Sequence, residues 1–224
     1  FGSHLGNVIR RLKRIAAFYG SSPQFIFTSA TLSNAREFVQ KLLEDEVILI
    51  DQDTSPHGKR YFHIINPPLV NKELGIRKSA MIEIVSLAGR FLQTKAQALL
   101  FTISRRSAEL LYIYLMDKTR QQGKIKSYRS GYLPEQRRAI EKQLRERELD
   151  LVISTNALEL GIDIGGLDAV FLNGYPGSIC GTRQQAGRAG RLGNSSFAAL
   201  VAASTALDQY ICQQLGIAGA DGRT

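Results

Sequence analysis

Residues 184–191 read Gln-Gln-Ala-Gly-Arg-Ala-Gly-Arg, which puts Arg188 and Arg191 three positions apart with Gly187 and Gly190 beside them. A guanidinium is permanently charged and presents planar donors matched to phosphate oxygens. On a helix, positions i and i+3 share a face, so both arginines would point at one spot. The glycines remove side chains that would keep a nucleotide or a second backbone at a distance. Two readings are open for this stretch, a phosphate grip and a solvated basic helix. Glycine inside a helix costs about 1 kcal/mol against alanine, so a merely solvated helix has little use for two, which favours the grip.

Three further clusters suit related chemistry. Thr28-Ser29-Ala30-Thr31, Ser104-Arg105-Arg106 and Ser154-Thr155-Asn156 each follow an apolar run, and the last leads into Gly161-Ile162-Asp163. Hydroxyls that open a helix suit phosphate or a sugar-phosphate backbone. An aspartate on a glycine-flanked turn suits a ribose hydroxyl. Cys180 and Cys212 form no Cys-x-x-Cys pair, and His4, His57 and His63 are scattered. The sequence therefore offers no metal-ligand pattern, and the cysteines read as reduced thiols of a cytoplasmic protein.

Those side chains need rigid elements behind them. Basic and apolar residues alternate at helical spacing over 7–19, and Pro23 ends that pattern. Residues 24–28 and 47–50 read as short buried strands flanking a helix capped by Ser33 or Asn34. A turn-rich stretch and Pro67-Pro68 mark a connector over 51–70. Beyond it, helices over 78–93, 107–119 and 134–147 alternate with strands over 98–103, 125–128, 151–154, 169–172 and 198–202. Several of these strands are unbroken apolar runs, the pattern of parallel strands buried on both faces. The alternation predicts an α/β fold with a doubly wound parallel sheet, whose ligands gather at the carboxyl ends of the strands. The four polar clusters fall at or near such ends.

With 224 residues, 44% hydrophobic and 22% charged, the chain is long and apolar enough for a sizeable core and too apolar for wholesale disorder. Lys+Arg exceed Asp+Glu by 29 to 20, and a net charge of +9 favours a polyanionic partner. No apolar stretch approaches the roughly 20 residues that a membrane-spanning helix needs, so no membrane partner is expected. The chain opens on Phe1 without an initiator methionine and reads as a piece of a longer polypeptide.

Thr28-Ser29-Ala30-Thr31, Leu100-Phe101-Thr102-Ile103-Ser104, the run from Ile153 through Thr155, Gly161 and Asp163 to Ile164, and residues 184–191 resemble motifs III, IV, V and VI of superfamily 2 helicases, in that order. Phe1-Gly2-Ser3-His4, Asn7, Arg10-Arg11, Gly165-Gly166-Leu167-Asp168 and Gly174-Tyr175-Pro176-Gly177 are similar to the YprA/MrfA-type DEAD/DEAH-box helicases, bacterial relatives of the RecQ-four-like helicases. The resemblance spans nearly the whole chain. It implies a RecA-like second lobe over 71–224, a connector over 51–70, and the C-terminal tail of a first, ATP-binding RecA-like lobe over 1–50.

By position, the resemblance implies that Arg191 and Arg188 act as arginine fingers on ATP, with Gln184 near the γ-phosphate. Asp163 would face the ribose, with Gly161 and Gly187 shaping the nucleotide site. Thr155, Ser104 and Arg105 would hold strand phosphates, and Ser29 and Thr31 would couple the two sites. Arg129, where many relatives carry histidine, either touches nucleic acid or solvates the surface. Arg183 stands where close relatives would carry tryptophan.

No Gly-x-x-x-x-Gly-Lys-[Ser/Thr] loop and no Asp-Glu-x-His or Asp-Glu-Ala-Asp run occurs in the sequence. ATP and Mg2+ are the implied cofactors, with the metal held mainly by the first lobe. The implied function is half of an ATP-dependent DNA helicase or translocase acting on single-stranded or partly duplex DNA, in a repair setting. The alternatives are an RNA helicase lobe and a nucleic-acid-binding module without motor activity. The 224 residues alone are expected not to turn over ATP.

Overall fold

The computed structural model describes residues 2–29, 32, 34–52, 54, 58–94, 96–119, 123–159, 166–190 and 195–220, with side chains through 214. The chain divides into two compact units, Phe1–Ser55 and Pro56–Thr224.

In the first unit, α1 (Gly2–Phe18) and α2 (Ala35–Leu43) pack through Gly6, Ile9 and Leu43, which are buried. Arg10 pairs with Glu44 and Lys13 Nζ reaches Asp45 Oδ2 at 3.3 Å. The strands expected over 24–28 and 47–50 do not form: both stretches are irregular, and Ile26, Ile48 and Ile50 are 80%, 94% and 88% exposed. A strand exists only through ladder bonds to a neighbour, and no strand occurs among the described residues of this unit.

The second unit is the predicted doubly wound α/β sheet. Six strands pair in parallel in the order β1-β8-β7-β4-β6-β5. They are β1 (Arg60–Ile65), β4 (Ala98–Thr102), β5 (Ile125–Tyr128), β6 (Leu151–Ser154), β7 (Ala169–Asn173) and β8 (Ser196–Val201), and β2 (Leu69–Asn71) and β3 (Ile76–Arg77) form a separate antiparallel pair. On one face, α3 (Ala80–Phe91) and α4 (Arg105–Thr119) bury Ile84, Ala88, Leu111 and Leu115 against Leu100, Ile153 and Phe171. On the other, Ile140 and Leu144 of α5 (Pro134–Arg145) join Leu99, Phe101, Val152 and Leu172. Successive residues of a strand point to opposite faces, so central strands clothed on both sides read as unbroken apolar runs.

The connector is shorter than the expected 51–70. β1 lies inside that stretch and belongs to the sheet: Ser196 N–H donates to Lys59 O and Ala202 N–H to Ile65 O, both at 2.9 Å. Without β1, β8 would be an open edge.

Pro134 takes the first position of α5, where its missing N–H costs nothing, and Leu133 N–H donates to Gln136 Oε1 at 3.2 Å. Burial, and then its bond to Glu141 Oε1 at 2.6 Å, push the Tyr128 hydroxyl up to about 12. Gln97 ties the end of α5 to the start of β4, its Nε2 donating to Leu144 O at 2.7 Å and Leu149 O at 2.8 Å. Gln97→Leu strands two buried carbonyls and is expected to cost about 2 kcal/mol. Urea unfolding would measure this, and an unchanged midpoint would refute it. Among the described residues no helix is long and apolar enough to cross a membrane.

Candidate functional site

β4, β6 and β7 end together, and the loops leaving them shape one side of the sheet. A cleft of about 290 Å³ opens there between Thr102, Asn156, Glu159, Asn173, Ser178 and Gln185. Asn173 Nδ2 donates to Thr102 Oγ1 at 3.3 Å, joining the tips of β7 and β4. Gly174 then turns the chain with φ 85°, a conformation that side chains resist. Ser178 caps α6 (Ile179–Ala186), its Oγ accepting from Gly181 N–H at 2.9 Å. Amide side chains, the Glu159 carboxylate and the start of a helix thus give the cleft a polar lining.

β6 delivers the next cluster. Ser154 is fully buried and Thr155 nearly so. Thr155 is extended and precedes a 3-10 turn, Asn156–Leu158, without a side-chain cap bond to it. Glu159 follows, and there the segment meets residues from the end of α6. Gln185 Nε2 donates to Glu159 Oε2 at 3.0 Å. Arg188 donates to the Glu159 carbonyl through Nη2 at 2.7 Å and Nε at 3.3 Å.

The described part of the stretch, residues 184–190, does not continue as one helix. α6 stops at Ala186, Gly187 is its C-cap, and a Cβ at Gly187 would sit 2.9 Å from Arg183 O. The chain then turns to bridge Leu167 with Ala189, Gly190 N–H donating to Leu167 O at 2.8 Å. Gly190 takes φ 116°, another position built for glycine. Gln184 is therefore on the helix and half-buried, whereas Arg188 lies past its end. Arg188 is thus off the helix, because bridging to Leu167 competes with continuing it.

Ser104 immediately precedes α4, which starts at Arg105, two residues earlier than the start at 107 that the sequence pattern suggests. Its Oγ accepts from Ser107 N–H at 3.0 Å and bonds Ser107 Oγ at 2.8 Å. That is a helix cap, so the hydroxyl expected on phosphate is engaged in starting the helix. Arg105 is exposed and approaches Ser130 Oγ at 3.5 Å. Arg129 pairs with Glu109 at 3.3 Å and lies 4.9 Å over the Tyr132 ring. Arg105 and Arg129 thus share one loop neighbourhood, at the ends of β4 and β5.

Ser29 lies in the first unit, exposed. Thr31, Gly161, Asp163 and Arg191 lie outside the described residues. Among those described, no group of three metal-ligating side chains gathers. Sequence reasoning passed over Glu159, Gln185 and Asn173, and also Asp208, whose carboxylate is buried where the loops after β7 and β8 meet. Gln185 sits within the Arg- and Gly-rich stretch 184–191, but its partner is 26 positions away and no local pattern announces it.

The pattern of the helicase conserved C-terminal domain matches residues 79–193. The uncharacterized ATP-dependent helicase YprA of Bacillus subtilis is 48% identical over 214 residues, 94% of this chain and 29% of the relative. The ATP-dependent helicase hrq1 of Schizosaccharomyces pombe is 39% identical over 220 residues, 94% of this chain and 21% of that protein. The crystal structure of the DUF1998 helicase MrfA bound to DNA and AMPPNP superposes with a TM-score of 0.89 at 46% identity, over 97% of this chain and 30% of that one. The chain thus spans less than a third of the length of each.

Proposed function

Because the chain belongs to the helicase conserved C-terminal domain family, of the YprA/MrfA-like branch of superfamily 2, we propose that it is the second motor lobe of an ATP-dependent DNA helicase or translocase. The observation that carries this reading is the junction of Glu159 with Gln185 and Arg188, which ties the segment leading to Asp163 to the segment leading to Arg191. A passive strand-binding module has no use for two such segments held in register.

In this reading Asp163 faces the ATP ribose, and Gln184 and Arg191 face the γ-phosphate. A positioned arginine stabilises the charge that spreads over the transferred phosphoryl oxygens. Thr155, Arg105 and the capped start of α4 border the path of the strand. These grips contact sugar-phosphate and carry no base information. Mg2+ and the β- and γ-phosphates are held mainly by a first RecA-like lobe, of which residues 1–50 supply the tail. The exposed Ile26, Ile48 and Ile50 fit strands that complete their ladders within that lobe. DNA as the strand follows the MrfA complex, which holds DNA and AMPPNP.

The test compares ATP hydrolysis by the 224-residue chain with hydrolysis by a polypeptide extended upstream, each with and without single-stranded DNA. Turnover only in the extended form, raised by DNA, is expected. Turnover raised by RNA and not by DNA would make this an RNA helicase lobe. Salt-sensitive DNA binding with no turnover in either form would leave a binding module and sink the motor reading.

A further inference from the structure

Glu159 is gripped from two sides by the end of α6. Its carboxylate lies along one face of that helix. Oε1 is 3.5 Å from where a Cβ would stand on Gly181, and Oε2 accepts from Gln185 Nε2 one turn further on. Its carbonyl accepts from Arg188 beyond the helix end. Gln185 is only 6% exposed, so its amide is shielded from water and depends on its protein partner. Side chain and main chain of one residue are thereby fixed to the same short stretch. That leaves little freedom for the backbone at either end of the contact.

The sequence positions give the contact its meaning. Glu159 stands four residues before Asp163, and Arg188 stands three before Arg191. We propose that Glu159 and Gln185 are positioning residues of the ATP site, a latch that sets the register between the ribose-facing and phosphate-facing segments. The inference rests on the motor reading and goes beyond it. In this role each acts through the backbone it holds and not on the nucleotide itself. A Cβ at position 181 would stand in ordinary contact with Glu159 Oε1, at 3.5 Å, and would crowd only Ser178 Oγ, at 3.1 Å.

The experiment uses the ATP-hydrolysing, upstream-extended polypeptide at saturating single-stranded DNA, with Glu159→Ala, Gln185→Ala, the double variant and Glu159→Gln. Far-UV circular dichroism at the assay temperature verifies folding. Each alanine variant is expected to lower kcat/KM for ATP about tenfold. The double variant should fall no more than about twofold below the singles, because the pair acts as a unit. Glu159→Gln keeps an oxygen that accepts from Gln185 and should stay within about twofold of the parent. The latch is overturned by parental kcat/KM in Glu159→Ala, by single effects that multiply, or by Glu159→Gln being as impaired as Glu159→Ala. A parent without turnover would overturn the motor reading and the latch together, whereas an active parent with unimpaired variants would overturn the latch alone.

Discussion

Arg191→Ala in the upstream-extended polypeptide is expected to lower kcat for ATP by about 10³-fold, while affinity for single-stranded DNA stays within about twofold. A finger acts on charge that develops only in the transition state, so its loss appears in kcat and kcat/KM alike. Arg188→Ala should behave differently. Its guanidinium holds the Glu159 carbonyl at 2.7 Å and 3.3 Å, so its removal loosens the backbone in addition to removing any charge it lends to phosphate. A kcat loss in Arg191→Ala smaller than that in Arg188→Ala would reverse the assignment of the principal finger. Loss of DNA binding together with turnover in Arg191→Ala would remove the finger reading altogether.

The second large effect is on stability. The Asp208 carboxylate is only 5% exposed. Its Oδ2 accepts from Ala203 N–H at 2.7 Å and Tyr175 N–H at 3.1 Å, and its Oδ1 from Thr205 Oγ1 at 2.7 Å. Asp208 N–H in turn donates to Thr205 Oγ1 at 3.2 Å, which caps α7 (Ala206–Ala220). Asp208→Ala would leave two half-buried backbone donors without this partner and weaken that cap. The expected cost is about 3–5 kcal/mol, which at about 2–4 °C per kcal/mol for a chain of this size lowers Tm by roughly 10 °C. Asp208→Asn keeps one accepting oxygen and should lose about half as much. An alanine variant melting within about 2 °C of the parent would show that the loops after β7 and β8 hold without this carboxylate.

The contrast between Arg191 and Asp208 also marks what a sequence can disclose. The central strands were legible because burial on both faces leaves an apolar run in the chain itself, as in Leu99-Leu100-Phe101 and Leu151-Val152-Ile153. β1 was not, since its Arg60 and His63 look like connector residues until β8 lies beside them. The expected strands over 24–28 and 47–50 had the right composition, but a ladder requires a neighbour that composition does not supply. At the site, the unusual density of arginine and glycine in residues 184–191 stood out. The path of that stretch did not, because the bridge to Leu167 that turns it is a tertiary contact. Glu159 and Asp208 share this property. Each is an ordinary acidic residue in sequence, and only the fold brings it the backbone donors or the amide that give it a task.

The pairing of β1 with β8 bears on the order in which the unit is built. Arg60 and Ser196 are partners separated by 136 positions (196 less 60), so the edge strand is synthesised first and finds its place last. At roughly 5–20 residues per second the ribosome imposes an interval of about 7–27 s between them. Through that time the apolar Tyr61, Phe62, Ile64 and Ile65 and the unsatisfied backbone of β1 stay available to other chains or to chaperones. The helices and the inner strands pair over shorter separations and need not wait. Closing so long a loop is also entropically slow, which makes docking of β1 the natural final step of folding for this lobe.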